Sequence, residues 1–260
     1  MEHHPITWFG LLPEVTLPFV HKALEAHTFH ALLATLILVI FATRARAQLE
    51  AARKAGTHLV PDRGLTARNL AELLVGGIEG IVSSVLAERG RPYIGLFGTF
   101  FLFIFVCNLM GLVPGFAPAT GNFNTTFALG VCSFLGFTAI GIRTQGIVNY
   151  AKHFAGPVWW LGWLMIPLEI IDNLVRPVSL GMRLFGNMTG DHLVLEIFTD
   201  LTKLFIPVIF YFLGAFVSLI QAFVFTLLST VYVSLAMGHG HDEHDHGHDA
   251  GHAPAHGHAH

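Results

Sequence analysis

Charge is what this 260-residue chain has least of: Asp, Glu, Lys and Arg make up 12% of it, against 53% hydrophobic residues. A soluble domain is about one-quarter charged, so water is the wrong solvent for most of this sequence. Its two cysteines, Cys107 and Cys132, both sit inside apolar runs. That excludes a disulfide scaffold and leaves them as small apolar fillers. A net charge of −3 offers no basic surface for phosphates, which excludes a nucleic-acid binder. No G-x-x-x-x-G-K run occurs, so direct nucleotide binding is not expected; no H-E-x-x-H occurs, which argues against a membrane zinc protease. No motif calls for a cofactor, and 23 Phe exclude disorder as the general state. What remains is an all-α integral membrane protein.

Crossing about 30 Å of hydrocarbon takes about 20 apolar helical residues. Apolar runs cover residues 28–43, 93–113, 126–142, 156–198 and 205–237. Residues 70–88 read as an amphipathic helix whose Glu72, Glu79 and Glu88 can avoid lipid. The fold expected is therefore about five to six membrane helices. Residues 1–27 precede the first run, which lies too deep, and lacks the basic front cluster, to be a signal peptide. Of the fourteen Lys and Arg, Arg44, Arg46, Arg53, Lys54, Arg63, Arg68, Arg89 and Arg91 lie between the first two spans, and Arg143 and Lys152 fall on the same side. The positive-inside rule then puts the N-terminus outside and, after five crossings, the C-terminal tail in the cytoplasm. The absence of a transit peptide and the chain length point to a bacterial inner membrane. If continuous, 156–198 would be about 64 Å long and 205–237 about 50 Å. Each must be broken, with Pro157, Pro167, Pro177 and Pro207 as break points, or steeply tilted.

Ionisable groups inside a membrane segment cost a few kcal/mol each and point to function. Glu169, Asp172, Arg176, Arg183, Asp191, His192 and Glu196 crowd into one such segment. At about 100° per residue, Glu169, Asp172, Arg176, Ser179, Arg183 and Asn187 fall on one stripe about 80° wide, with His192 and Glu196 on the opposite side. Asp172 and Arg176, spaced i,i+4, make either a structural ion pair or part of a polar path. Arg183 has only Ser179 and Asn187 one turn away, and an arginine does not deprotonate. Its expected partner is a carboxylate on another chain or segment. Two polar faces flanking one fixed positive charge suggest an ion path interrupted at that charge, with carboxylate and imidazole steps on either side.

The run Arg176-Pro177-Val178-Ser179-Leu180-Gly181-Met182-Arg183-Leu184-Phe185-Gly186-Asn187-Met188 resembles the signature of the subunit a family of F-type ATP synthases. Asn108-Leu109-Met110-Gly111-Leu112-Val113-Pro114-Gly115, Asn124-Thr125-Thr126 and Ile220-Gln221-Ala222-Phe223-Val224-Phe225 support it in the family's order. The resemblance implies a non-catalytic, proton-conducting stator subunit. Arg183 would face the essential carboxylate of a rotating c-ring and separate two aqueous half-channels. Asn187 and Gln221 match polar residues near that arginine, and Glu169 matches a channel acid. The last two helices would form a steeply tilted hairpin against the ring, and peripheral-stalk b subunits would be further partners. Whether the ion is H⁺ or Na⁺ stays open, because the binding carboxylate would lie on another subunit.

Some positions depart from the pattern. Many bacterial members carry Glu where His192 stands, paired with a His where this chain has Gly214; Glu196 or Asp191 is then expected to take the partner's role. Asn122 stands where Asp is common, and Gly111 replaces an acid found in some members. Gly186-xxx-Gly190 suggests a close helix contact, and Trp159, Trp160 and Trp163 suggest an interfacial anchor. The tail after Gly238 is read as disordered. Its His241, His244, His246 and His248 could bind zinc, nickel or copper loosely. They underlie the alternative of a stand-alone divalent-cation transporter using Asp191 and His192, which Arg176 and Arg183 would oppose by repelling the ion.

Overall fold

The computed structural model describes residues 26–56, 64, 66–113, 116, 118–147, 162–201 and 205–237. Among them every regular element is a helix. These are α1 (Ala26–Lys54), α2 (Ala67–Leu86), α3 (Ile94–Leu112), α4 (Phe123–Gln145), α5 (Gly162–Leu201) and α6 (Phe205–Ala236), with 3-10 turns at Ala87–Tyr93 and Ala119–Gly121. By length and composition four stretches could cross a membrane: Thr28–Lys54, Ala67–Leu112, Phe123–Gln145 and Val208–Ala236. The charge-bearing α5 is not among them. The protein is an all-α, multi-pass membrane protein.

Helix α1 outruns its apolar span by more than two turns. Beyond Arg44 the Ala, Arg, Gln, Leu and Glu residues are good helix formers, Arg46 bonds Glu50 at 3.0 Å, and Arg53 and Lys54 sit on the negative end of the helix dipole. Helix α2 begins at Thr66, whose hydroxyl accepts from the Asn69 N–H. It turns Ile78, Val82 and Leu86 inward at i,i+4 spacing. Asn122 caps α4 in the same manner, accepting from the Asn124 N–H at 2.9 Å; Asn and Asp are equally good there.

Helix α5 runs unbroken for 40 residues through Pro167 and Pro177, about 60 Å at 1.5 Å per residue. Pro207 lies in the first turn of α6, where a missing N–H costs nothing. Pro157, Trp159, Trp160, residues 1–25 and the tail from 238 onward lie outside the described residues.

Helix α6 sits at the centre of the bundle, packed against α2, α3, α4 and α5. Phe225 of α6 meets Phe100 of α3 edge-on at 5.8 Å between centroids. The main core joins Ile78, Val82, Leu86, Phe97, Phe101, Ile104, Phe137, Leu180, Leu184 and Ala222 around it. A smaller cluster of Ala34, Cys107 and Ala119 ties α1 to the rest. Cys107 is buried as a filler, whereas Cys132 lies on the exposed face of α4. Outside this core the helices are apolar too. Leu36 and Val39 on α1, Leu168 and Leu174 on α5, and Phe212 and Phe216 on α6 are all exposed, a surface for lipid or a partner rather than water.

Candidate functional site

Glycine brings α4 and α5 together. A Cβ at Gly130 would lie 2.3 Å from the Pro177 carbonyl oxygen, and one at Gly181 would lie 3.0 Å from the Thr126 carbonyl oxygen. The segments 126–130 and 177–181 therefore cross backbone to backbone, the close approach that small residues permit in membranes. The crossing turns Pro177, Leu180, Gly181, Leu184 and Met188 into the bundle. One face of a helix buried in that way leaves another outside. On α5 that outer face carries Asp172, Ser179, Met182, Arg183, Gly186, Asn187 and Gly190, all exposed. Gly186 and Gly190 meet nothing within 4 Å, so among the described residues they make no close contact; Gly130 and Gly181 make one.

Contacts between α5 and α6 fix their pairing. Phe198 stacks on Phe210 at 4.5 Å between centroids, the Asn187 amide donates to Gln221 Oε1 at 2.5 Å, and the Arg176 guanidinium lies 5.3 Å from the centre of the Tyr232 ring. In each step one helix advances as many residues as the other retreats, so the two form an antiparallel hairpin in constant register. From Phe198 to Arg176 it is about 33 Å long at 1.5 Å per residue, close to the thickness of a hydrocarbon core.

Within this hairpin the predicted residues have different surroundings. Arg183 is exposed and makes no hydrogen bond or ion pair among the described residues. Arg176 is ion-paired with Asp172 at 2.5 Å. Gln221 is 4% exposed; its Oε1 is taken by Asn187, and its Nε2 has no hydrogen-bond partner among the described residues. The Glu169 backbone belongs to α5, but its side chain lies outside the described residues.

His192 and Asp191 are half-buried and Glu196 is exposed. His192 Nε2 is buried without a hydrogen-bond partner among the described residues. It points at Gly111 on α3, where a Cβ would come within 2.9 Å of it, 2.6 Å from Pro118 and 2.6 Å from Met188. Glu196 and His192 make no ion pair among the described residues. Gly214 is filled from α3: a Cβ there would lie 2.7 Å from a Leu112 methyl. Two of the family departures are thus neighbours, His192 in the room that Gly111 leaves. Spacing along the chain carries no sign of this, because 81 residues separate them. Also missed was His30 of α1, fully buried with its ring 5.6 Å from that of Phe116. Among the described residues no three His, Cys, Asp or Glu gather as a metal site; His241, His244, His246 and His248 lie outside them.

A bundle of long apolar helices that buries one face of α5 and leaves on the other an arginine with no partner among the described residues belongs with the multi-pass membrane proteins. The ATP synthase A chain family profile matches residues 27–234. ATP synthase subunit a of Bdellovibrio bacteriovorus is 42% identical over 234 residues, covering 90% of this chain and 98% of that protein. ATP synthase subunit a of Geobacter sulfurreducens is 47% identical over 174 residues, covering 67% and 76%. ATP synthase subunit a 2 of Syntrophotalea carbinolica is 41% identical over 243 residues, covering 93% and 100%. The chain belongs to the ATP synthase A chain family.

Proposed function

We propose that this chain is the proton-conducting stator subunit of a rotary ATP synthase, working without catalytic chemistry of its own. The carrying observation is Arg183: a permanent cation, exposed on the outward face of α5, with no partner among the described residues. Leaving such a charge uncompensated in lipid is costly, so its counter-charge comes from outside, from a carboxylate on each passing subunit of a c-ring. Near Arg183 that carboxylate is held ionised; facing lipid it prefers its proton. The difference forces proton release and uptake at separate places. Gly186 and Gly190 leave room beside Arg183 for the partner helix to come close.

The buried Gln221 amide, tied to Asn187, holds the α5–α6 seam at the level of that contact. Two half-channels lead to it from opposite membrane faces. Glu169 serves one; His192, with Asp191 and Glu196 one turn or less away, serves the other. Arg183 separates them. The α5–α6 hairpin lies tilted along the ring, and peripheral-stalk b subunits hold the chain against rotation. The site is bacterial inner membrane, with the N-terminus outside and the C-terminus in the cytoplasm, as the bias of Lys and Arg favours. The drive is about 2.3 kcal/mol per charge for every 100 mV of membrane potential.

The test is ATP-driven proton pumping in inverted membrane vesicles that carry Arg183→Ala in the assembled complex. Pumping is expected to vanish while the complex assembles and hydrolyses ATP. Pumping at the normal rate would overturn the reading.

A further inference from the structure

Two arginines share the exposed stripe of α5, seven residues apart and so about 10 Å from one another along the helix. If both presented full charge to a passing carboxylate, each would hold it ionised, and the step at Arg183 would lose its sharpness. The structure treats them differently. Asp172 takes the Arg176 guanidinium at 2.5 Å, one turn back on the same helix. Tyr232 of α6 lies under the same guanidinium, 5.3 Å from its carbon to the ring centre. The Tyr232 ring is itself fixed against Phe137 of α4 at 5.8 Å. An ion pair and a ring face together draw the charge off the open stripe into the seam between α5 and α6, where the Arg176 side chain is 20% exposed. Among the described residues nothing does this for Arg183.

We propose that Asp172 and Tyr232 are positioning residues that neutralise and withdraw Arg176, so that a carboxylate moving along α5 meets one uncompensated cation, at Arg183. The inference rests on the reading of Arg183 given above. It assigns the Asp172–Arg176 pair a role other than holding the helix: it removes a second trap from the ring-facing surface. The charge that matters is the one that would appear if Asp172 were lost.

A charge-removal series in the assembled synthase tests this, read as ATP-driven proton pumping per ATP hydrolysed in inverted vesicles. Asp172→Asn exposes the Arg176 charge. Pumping is expected to fall about tenfold, the Coulomb effect of one uncompensated charge about 10 Å away at an effective dielectric constant of about 20. Adding Arg176→Gln to Asp172→Asn removes the freed charge and is expected to restore pumping to at least about half of normal. A pair that served only to brace α5 predicts the opposite order, with the double variant no better than Asp172→Asn; that result overturns the inference, as does normal pumping in Asp172→Asn alone. Should Asp172→Asn fail to assemble, Tyr232→Leu with and without Arg176→Gln asks the same question from α6. There, loss in the single variant and recovery in the double support the proposal; equal loss in both overturns it. Arg183→Ala run alongside separates the two levels. If it pumps normally, the stator reading fails; if it is silent while the double variant shows no recovery, only the role of Asp172 and Tyr232 fails.

Discussion

Arg68 and Arg183 make an instructive pair. Both are arginines of long, largely apolar helices, yet they live in opposite conditions. Arg68, at the start of α2, is 2% exposed, donates to Glu72 at 2.7 Å, and its backbone N–H donates to Gln48 of α1 at 2.9 Å. It is a joint between two helices, complete within the chain. Arg183 is exposed and has no such partner among the described residues. Burial, the usual sign of an important charge, marks the structural arginine here. On the proposed reading the sign of function is the reverse, a fixed charge that no described residue of its own chain meets.

That contrast is broken most directly by exchanging the phenotypes. Arg183→Ala is expected to reduce ATP-driven pumping more than about 100-fold, beyond about 2.7 kcal/mol of lost coupling, with the abundance of the chain in membranes unchanged. A fall in that abundance would mean that Arg183 is braced by contacts within its own chain. Next in size is Gly130→Leu. The side chain has to pass through the Pro177 carbonyl, a backbone atom that cannot step aside, so the α4–α5 crossing should lose about 3 kcal/mol and the chain should be depleted from membranes. Gly186→Leu, on the same helix as that crossing but facing open space, should leave chain abundance normal and weaken pumping only. If both glycines gave the same loss of abundance, the division of α5 into an inward and an outward face would be wrong.

Arg68→Ala comes third. It leaves the Glu72 carboxylate, itself 46% exposed, without its charged donor, a change of about 2 kcal/mol. Abundance in the membrane should fall severalfold, while pumping per assembled complex stays normal. Lost pumping per complex would move Arg68 from joint to conduction path.

Much of this could be read from the chain because lipid narrows the choices: only helices satisfy their own backbone there, and a charge stands out against 53% hydrophobic residues. The stripe from Asp172 to Asn187 was visible from periodicity alone, and so was the i,i+4 spacing of Asp172 and Arg176. Helix ends were less legible where hydropathy and helicity part company. Helix α1 continues through Arg44 and Arg46 because helix formation needs favourable backbone residues, not apolar ones. The helix runs through Pro167 and Pro177 alike, and at Pro177 close packing on Gly130 offsets the lost backbone bond. Contacts between distant segments left no trace in spacing. Nothing at Gly111 announces His192, nothing at Tyr232 announces Arg176, and the Gly186-xxx-Gly190 pattern gave no hint that Gly130 and Gly181 would make the close contact instead.

The smallest effect separates the two family departures, Gly111 and Gly214. Gly111 lies at the end of α3 and Gly214 packs on that end from α6, and a Cβ at either would come within 2.7 Å of a neighbour. Their surroundings differ in stiffness. A methyl at Gly111 meets Pro118 at 2.6 Å and His192 at 2.9 Å; the proline ring cannot turn away, and the imidazole would have to move with α5. A methyl at Gly214 meets one Leu112 methyl at 2.7 Å, with the remaining Leu112 atoms at 3.7 Å or more. That side chain can change rotamer, and alanine in mid-helix returns about 1 kcal/mol of helix propensity over glycine. Gly214→Ala is therefore expected to be neutral within about 1 kcal/mol, and Gly111→Ala to cost about 2 kcal/mol, read as thermal unfolding of the two complexes side by side. A stabilised Gly214→Ala would show that the Leu112 contact is soft and that the position tolerates a larger side chain. A loss as large as that of Gly111→Ala would mean that Leu112 is locked, and that the end of α3 holds α6 as firmly as it holds His192.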